Sequence, residues 1–126
     1  MTQAGWDNWV RMADQEVSRT LGSLPRQLRV EASAVPVLFQ RRPSRAMERD
    51  GVDHDTMGLF VGVPFAEEMR SGEDIPAQVI LFLEVILDEV NGDEAVFRRE
   101  VRQTYLHELG HFLGLDESGL EERDLG

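Results

Sequence analysis

Two of the three histidines in this chain, His107 and His111, lie four residues apart in "YLHELGHFLG", with Glu108 directly after the first. On an α-helix four residues advance about 400°, so the two imidazoles differ by only about 40° and one turn of rise. They can therefore converge on one ion. Glu108 projects roughly 100° from His107 and about 60° from His111, within reach of a water on that ion without itself being a ligand. This is the mechanical content of H-E-x-x-H: two metal ligands on one helix face and a carboxylate placed for general base work.

Two histidines do not complete a catalytic zinc site, which takes three protein ligands and a water. Beyond His111 the chain reads Phe112, Leu113, Gly114, Leu115, Asp116, Glu117. Gly114 can end the helix in a left-handed conformation and turn the backbone. Glu117 then stands where a third ligand returns in H-E-x-x-H-x-x-G-x-x-[H/D/E], and Asp116 is one residue out of register. Glu117 is the favoured ligand and Asp116 the alternative. One zinc or similar divalent ion is the expected cofactor. The blander reading makes this an ordinary amphipathic helix with polar residues on its wet side. Gly114 suits that reading equally, but it leaves the shared face of both histidines unexplained.

The helix that must carry these groups is well marked. Phe97, Val101, Tyr105, Leu109, Phe112 and Leu113 form an apolar stripe. Asn91, with Glu94 three residues on, is the expected cap, and Glu94 and Arg98 are spaced as a favourable i,i+4 pair. Upstream, Trp6, Trp9, Val10, Ala13, Val17 and Leu21 recur at three- and four-residue steps, a helix stopped by Gly22 and Pro25. In "QLRVEA", Leu28, Val30 and Ala32 alternate with polar residues and predict a half-buried strand. "VPVLF" reads as an edge or irregular extension because of Pro36. Gln40 to Thr56 is charged and aperiodic and reads as an exposed loop. Asp53, His54 and Asp55 lie in it and read as solvated. Met57 to Phe65 looks extended, with Gly58 and Gly62 as turn or bulge positions or, alternatively, as places where a ligand or another backbone approaches closely. Ala77 to Leu83 is the best candidate for a fully buried strand, with a short helix following to Val90.

Length and composition bound what these elements can build. The 126 residues fit one domain, and 41% of them are hydrophobic. The net charge of −11 would be repelled by nucleic acid and by anionic membranes, so neither is an expected partner. The absence of cysteine excludes disulfides, thiolate zinc sites and cysteine nucleophiles. Charged residues at Asp7, Arg11, Asp14, Glu16 and Arg19 do not suit a secretory signal. The apolar run Val79 to Leu83 is too short to span a bilayer. A soluble cytoplasmic domain is the simplest expectation.

"EVRQTYLHELGHFLGLDE", together with "GLFVGVP" and "IPAQVILF", resembles a family of small bacterial zincin-like metallopeptidases of the minimal zincin fold. The resemblance runs from about Trp6 onward and is strongest from Met57 to Glu117. It implies a compact α+β domain in which a small mixed sheet packs on an N-terminal helix and on the metal helix. It implies His107, His111 and Glu117 as zinc ligands, Glu108 as the catalytic residue, and a peptide or protein substrate. It also implies the arginines before the motif, kept here as Arg98, Arg99 and Arg102. An oxyanion-stabilising donor is expected too. Tyr105 falls in the apolar stripe and reads as core, and His54 as a solvated loop residue. The nine residues from Ser118 to Gly126 contain no methionine, so the methionine turn of larger relatives is not expected. Substrate contacts would then come from Met57 to Phe65, from Val79 to Phe82, or from a partner. The alternatives are a non-catalytic zincin-like module that binds a metal or a partner, and a hydrolase of a non-peptide bond.

Overall fold

Two long helices and a three-stranded sheet carry the fold, and the reasons they form are mostly local. The computed structural model describes residues 1–62 and 76–114. Helix α1 (Gln3–Gly22) starts where the Thr2 hydroxyl accepts a hydrogen bond from the Gly5 N–H at 3.0 Å. Its buried side carries Met12, Ala13, Val17 and Thr20. A short turn through Ser23 and Pro25 leads into α2 (Arg26–Ser33).

The segment of α2 is the strand expected at Leu28, Val30 and Ala32, and it is helical instead. Leu28 and Ala32 are buried, while Val30 is 67% exposed. Positions i and i+4 share a face in both a helix and a strand, so Leu28 and Ala32 satisfied either period. Only Val30 distinguishes them, and it faces water. The Arg29 N–H donates to the Pro25 carbonyl at 2.9 Å, closing the first helical turn.

Strand β1 (Val37–Gln40) follows Pro36 and lies at a sheet edge, where a proline is tolerated. The segment expected as an exposed loop then contains a short helix, α3 (Arg45–Arg49). The Ser44 hydroxyl caps it by accepting from the Met47 N–H at 3.1 Å. Five residues are too few to show a helical period, but α3 has a packing role through Met47.

Strands β2 (Gly58–Val61) and β3 (Gln78–Phe82) complete a sheet of order β1-β3-β2. The sheet is mixed. β1 runs parallel to β3 with Val37 opposite Val79, and β2 runs antiparallel with Gly58 opposite Leu81. β3 is therefore central and buried on both faces. Val79 and Leu81 enter the main core with α1, α2 and the two C-terminal helices. Ile80 and Phe82 pack on the other face with Val85, Leu59, Val61 and Met47.

Helix α4 (Leu83–Glu89) begins directly after β3. The turn behind it puts Asn91 at φ 54° and Gly92 at φ 72°. Two successive left-handed residues reverse the chain, and asparagine tolerates that conformation better than most side chains. Asn91 is thus the turn residue and not the cap expected of it. Asp93 caps α5 (Glu94–Leu113), its carboxylate accepting from the Val96 N–H at 3.0 Å.

α5 lies across the sheet and against α1. The Trp9 and Phe97 rings meet edge to face at 4.7 Å. Arg98 reaches Glu16 and Gln15 of α1 and also Glu94 one turn back. The architecture is α+β, as expected, with the two long helices on one face of a small mixed sheet and Met47 of α3 and Val85 of α4 packed on the other. Among the described residues no helix is long and apolar enough to cross a membrane.

Candidate metal centre

The last two turns of α5 divide cleanly by side. Tyr105, Leu106, Leu109, Gly110 and Phe112 are buried, while His107 and His111 are exposed. Helical spacing alone stacks the two histidines. Their ring centroids stand 5.1 Å apart with planes crossed at 76°. Glu108 occupies the boundary between the wet and dry sides, with its side chain 13% exposed against 50% for His107. Glu108 Oε2 lies 4.0 Å from His107 Nε2.

One ligand atom from each of His107, Glu108 and His111 lies within 4.8 Å of the others. Ligands of a single zinc each stand about 2 Å from it, so a pair spans at most ~4 Å. The 4.8 Å bound takes in Glu108 as well as the two exposed imidazoles. Nitrogen and carboxylate oxygen donors are also the chemistry zinc takes in hydrolytic sites. The location helps. His111 is in the final turn of α5, where the negative end of the helix dipole favours a cation. Gly114 closes the helix at φ 71°, its N–H donating to the Gly110 and His111 carbonyls. The left-handed end expected from the sequence is present.

Strand β2 borders the centre. Phe60 meets Phe112 with centroids 6.0 Å apart, so the strand runs along α5 toward its C-terminal end. Two residues earlier and on the same strand face, Gly58 abuts Thr104 and the stem of Glu108. β2 is hydrogen-bonded to β3 on one side, and among the described residues its other edge carries no strand.

The remaining expected site residues divide. His107, Glu108 and His111 come together. Glu117 and its alternative Asp116 lie outside the described residues. Tyr105 is 1% exposed and packs in the core, where burial pushes its phenol up to about 12. It is a core residue and not a donor to the centre. His54 is exposed on the loop between α3 and β2, and among the described residues no metal-ligating group of three forms around it with Asp53 and Asp55.

Of two neighbours of the centre, Gly58 was legible only as a place of close approach and Thr104 not at all. Gly58 is neither a turn nor a bulge. It sits within β2 at an ordinary negative φ, and its missing side chain makes room for α5. Gly62 does fit the turn expectation, with φ 123° and the Pro76–Ala77 backbone close by. Thr104 carried no sequence signal beyond standing one turn before Glu108.

No curated protein matches the chain. The family model of the zincin-like metallopeptidases matches residues 32–126, a span that takes in all three strands and the whole of α5 with its histidine pair. The chain belongs to the zincin-like metallopeptidase family.

Proposed function

We propose that the protein is a zinc-dependent peptidase in which His107, His111 and Glu117 hold one zinc ion and Glu108 is the general base. The observation that carries this reading is the convergence of His107, Glu108 and His111 at the exposed end of α5. Bound zinc supplies Lewis acidity toward the scissile carbonyl and lowers the pKa of its water to ~7.

The chain's own residues do the rest. His107 and His111 orient two of the three ligand positions from one helix face. Glu108, half sheltered beside His107, takes the proton of the attacking water on its carboxylate. It returns that proton to the leaving nitrogen as the peptide bond breaks, which balances the step. β2 runs beside Glu108, and its outer edge, which carries no strand among the described residues, would offer backbone N–H and C=O groups to an extended peptide. That edge supports a peptide or protein segment as the substrate.

The test has two arms. Metal content of the purified protein is compared between wild type and His111→Ala. Cleavage of an unstructured protein is compared between wild type and Glu108→Ala. Zinc in the wild type, its loss in His111→Ala and cleavage lost in Glu108→Ala without zinc loss are the expected results. A wild type that keeps zinc but cleaves nothing across a broad peptide library makes the protein a metal-binding module. A wild type that takes up no metal sinks both readings.

A further inference from the structure

We propose that Gly58 is a positioning residue for Glu108: the bare backbone of β2 and the Thr104 methyl together form the seat that aims the Glu108 carboxylate at the metal centre. The inference rests on the general-base reading of Glu108 given above and deepens it.

Glycine at 58 is not needed for backbone conformation, because its φ is not positive. The need is steric. A Cβ at this position would fall 2.5 Å from Thr104 Cγ2, 3.1 Å from Glu108 Cγ and 3.4 Å from Leu81 Cδ2. Thr104 and Glu108 are one turn apart on α5, so a single β2 residue faces both. Thr104 is buried, and its hydroxyl donates to Glu100 Oε1 at 3.4 Å. That bond favours the rotamer that turns the methyl toward β2, and a β-branched side chain has little χ1 freedom to leave it.

The strand is tied to its neighbours on either side of position 58. The Phe82 N–H donates to the Met57 carbonyl at 2.9 Å, Gly58 is in register with Leu81, and Phe60 is packed on Phe112. Relief of the 2.5 Å overlap falls on Thr104 and the backbone that carries it, at a cost in stability, while the 3.1 Å contact falls on the unbranched Glu108 stem, which gives way by rotation. A methyl group there therefore displaces the carboxylate that must meet the attacking water. Misplacement by about 1 Å is enough to cost on the order of 100-fold in rate.

The experiment compares Gly58→Ala, Thr104→Ser and Gly58→Ala/Thr104→Ser, each also in a Glu108→Gln background. Readouts are kcat, KM, Tm, zinc affinity against a chromophoric chelator, and the side-chain 13C resonance of Glu108, assigned by its loss in Glu108→Gln. In Gly58→Ala, kcat should fall on the order of 100-fold with KM and zinc affinity unchanged. That fall should vanish in the Glu108→Gln background, because residues acting through one another are not additive.

Thr104→Ser removes the 2.5 Å overlap but leaves the 3.1 Å contact with Glu108. The double variant should therefore recover Tm while kcat stays depressed, which separates seating from folding. The Glu108 resonance should move in Gly58→Ala and stay in Ile80→Val, a change on the opposite sheet face. An equal fall of kcat with and without the Glu108 carboxylate, or full recovery of kcat together with Tm in the double variant, overturns the proposal. If wild type cleaves no peptide, the peptidase reading fails by itself, and the resonance decides the seating: a Glu108 signal unmoved by Gly58→Ala overturns it.

Discussion

Glu84 and Glu108 are both sheltered glutamates, with side chains 20% and 13% exposed, yet they are partnered in opposite ways. Glu84, at the start of α4, takes Arg41 at 2.7 Å and Arg42 at 3.1 Å. Arg41 also stacks over the Trp6 ring at 4.5 Å, and Arg42 continues to Asp88 at 2.7 Å. This cluster ties the end of β1 to α1 and α4. The Arg41 hydrogen bond holds the Glu84 carboxyl below its ordinary range. The same cluster raises Arg42, chiefly through Asp88. Among the described residues no arginine pairs with Glu108, which lies 4.0 Å from the His107 imidazole. A carboxylate locked to permanent cations is a strut. One beside exchangeable ligands can accept and release a proton.

The largest expected effect separates the two directly. Glu108→Gln should lower kcat by about 10²–10⁴-fold with bound zinc retained, while Glu84→Gln leaves kcat per folded molecule unchanged. Comparable losses from both, measured on one peptide substrate, would break the contrast. His111→Ala should release zinc and with it the activity, read by metal analysis after dialysis. Glu108→Gln keeps the metal in the same assay.

The next effect lies beneath the site. Tyr105 is the chain's one tyrosine, so phenolate absorbance reports it alone. Its folded value is raised to about 12 from 10.0, so its contribution to stability is full below about pH 10 and is lost as pH rises through about 12. Tyr105→Phe should flatten the fall of Tm with pH over that window, and a slope equal to wild type would remove the phenol as its source. The smallest effect belongs to Glu84. Its folded value is lowered from 4.5, so its contribution is present above that pH and lost as pH falls through the lowered value. The arginines are 41% and 50% exposed, so solvent screening limits the cluster to ~1 kcal/mol or less. Glu84→Gln should lower Tm slightly at pH 7 and converge on wild type in acid.

The two long helices were legible because each runs for twenty residues, long enough to repeat its apolar period several times. The histidine pair was legible for the same reason: its geometry is internal to one helix. β3 declared itself by an apolar run suited to burial on both faces. Failures came where local pattern was short or shared. Leu28 and Ala32 fit two periods, α3 spans little more than one turn, and the Asn91 cap assignment lost to a chain reversal that placed Asp93 there instead.

The amino-acid sequence by itself determined the helix that carries His107, Glu108 and His111, because a 3.6-residue period acts within one segment and needs no partner. Only the tertiary structure decided what lies against that helix. The closeness of Gly58 to Thr104 and Glu108 arises from β2 docking on α5, although Gly58 and Thr104 stand 46 positions apart along the chain. A glycine's value as empty space depends on its neighbours, and no local pattern records who those will be.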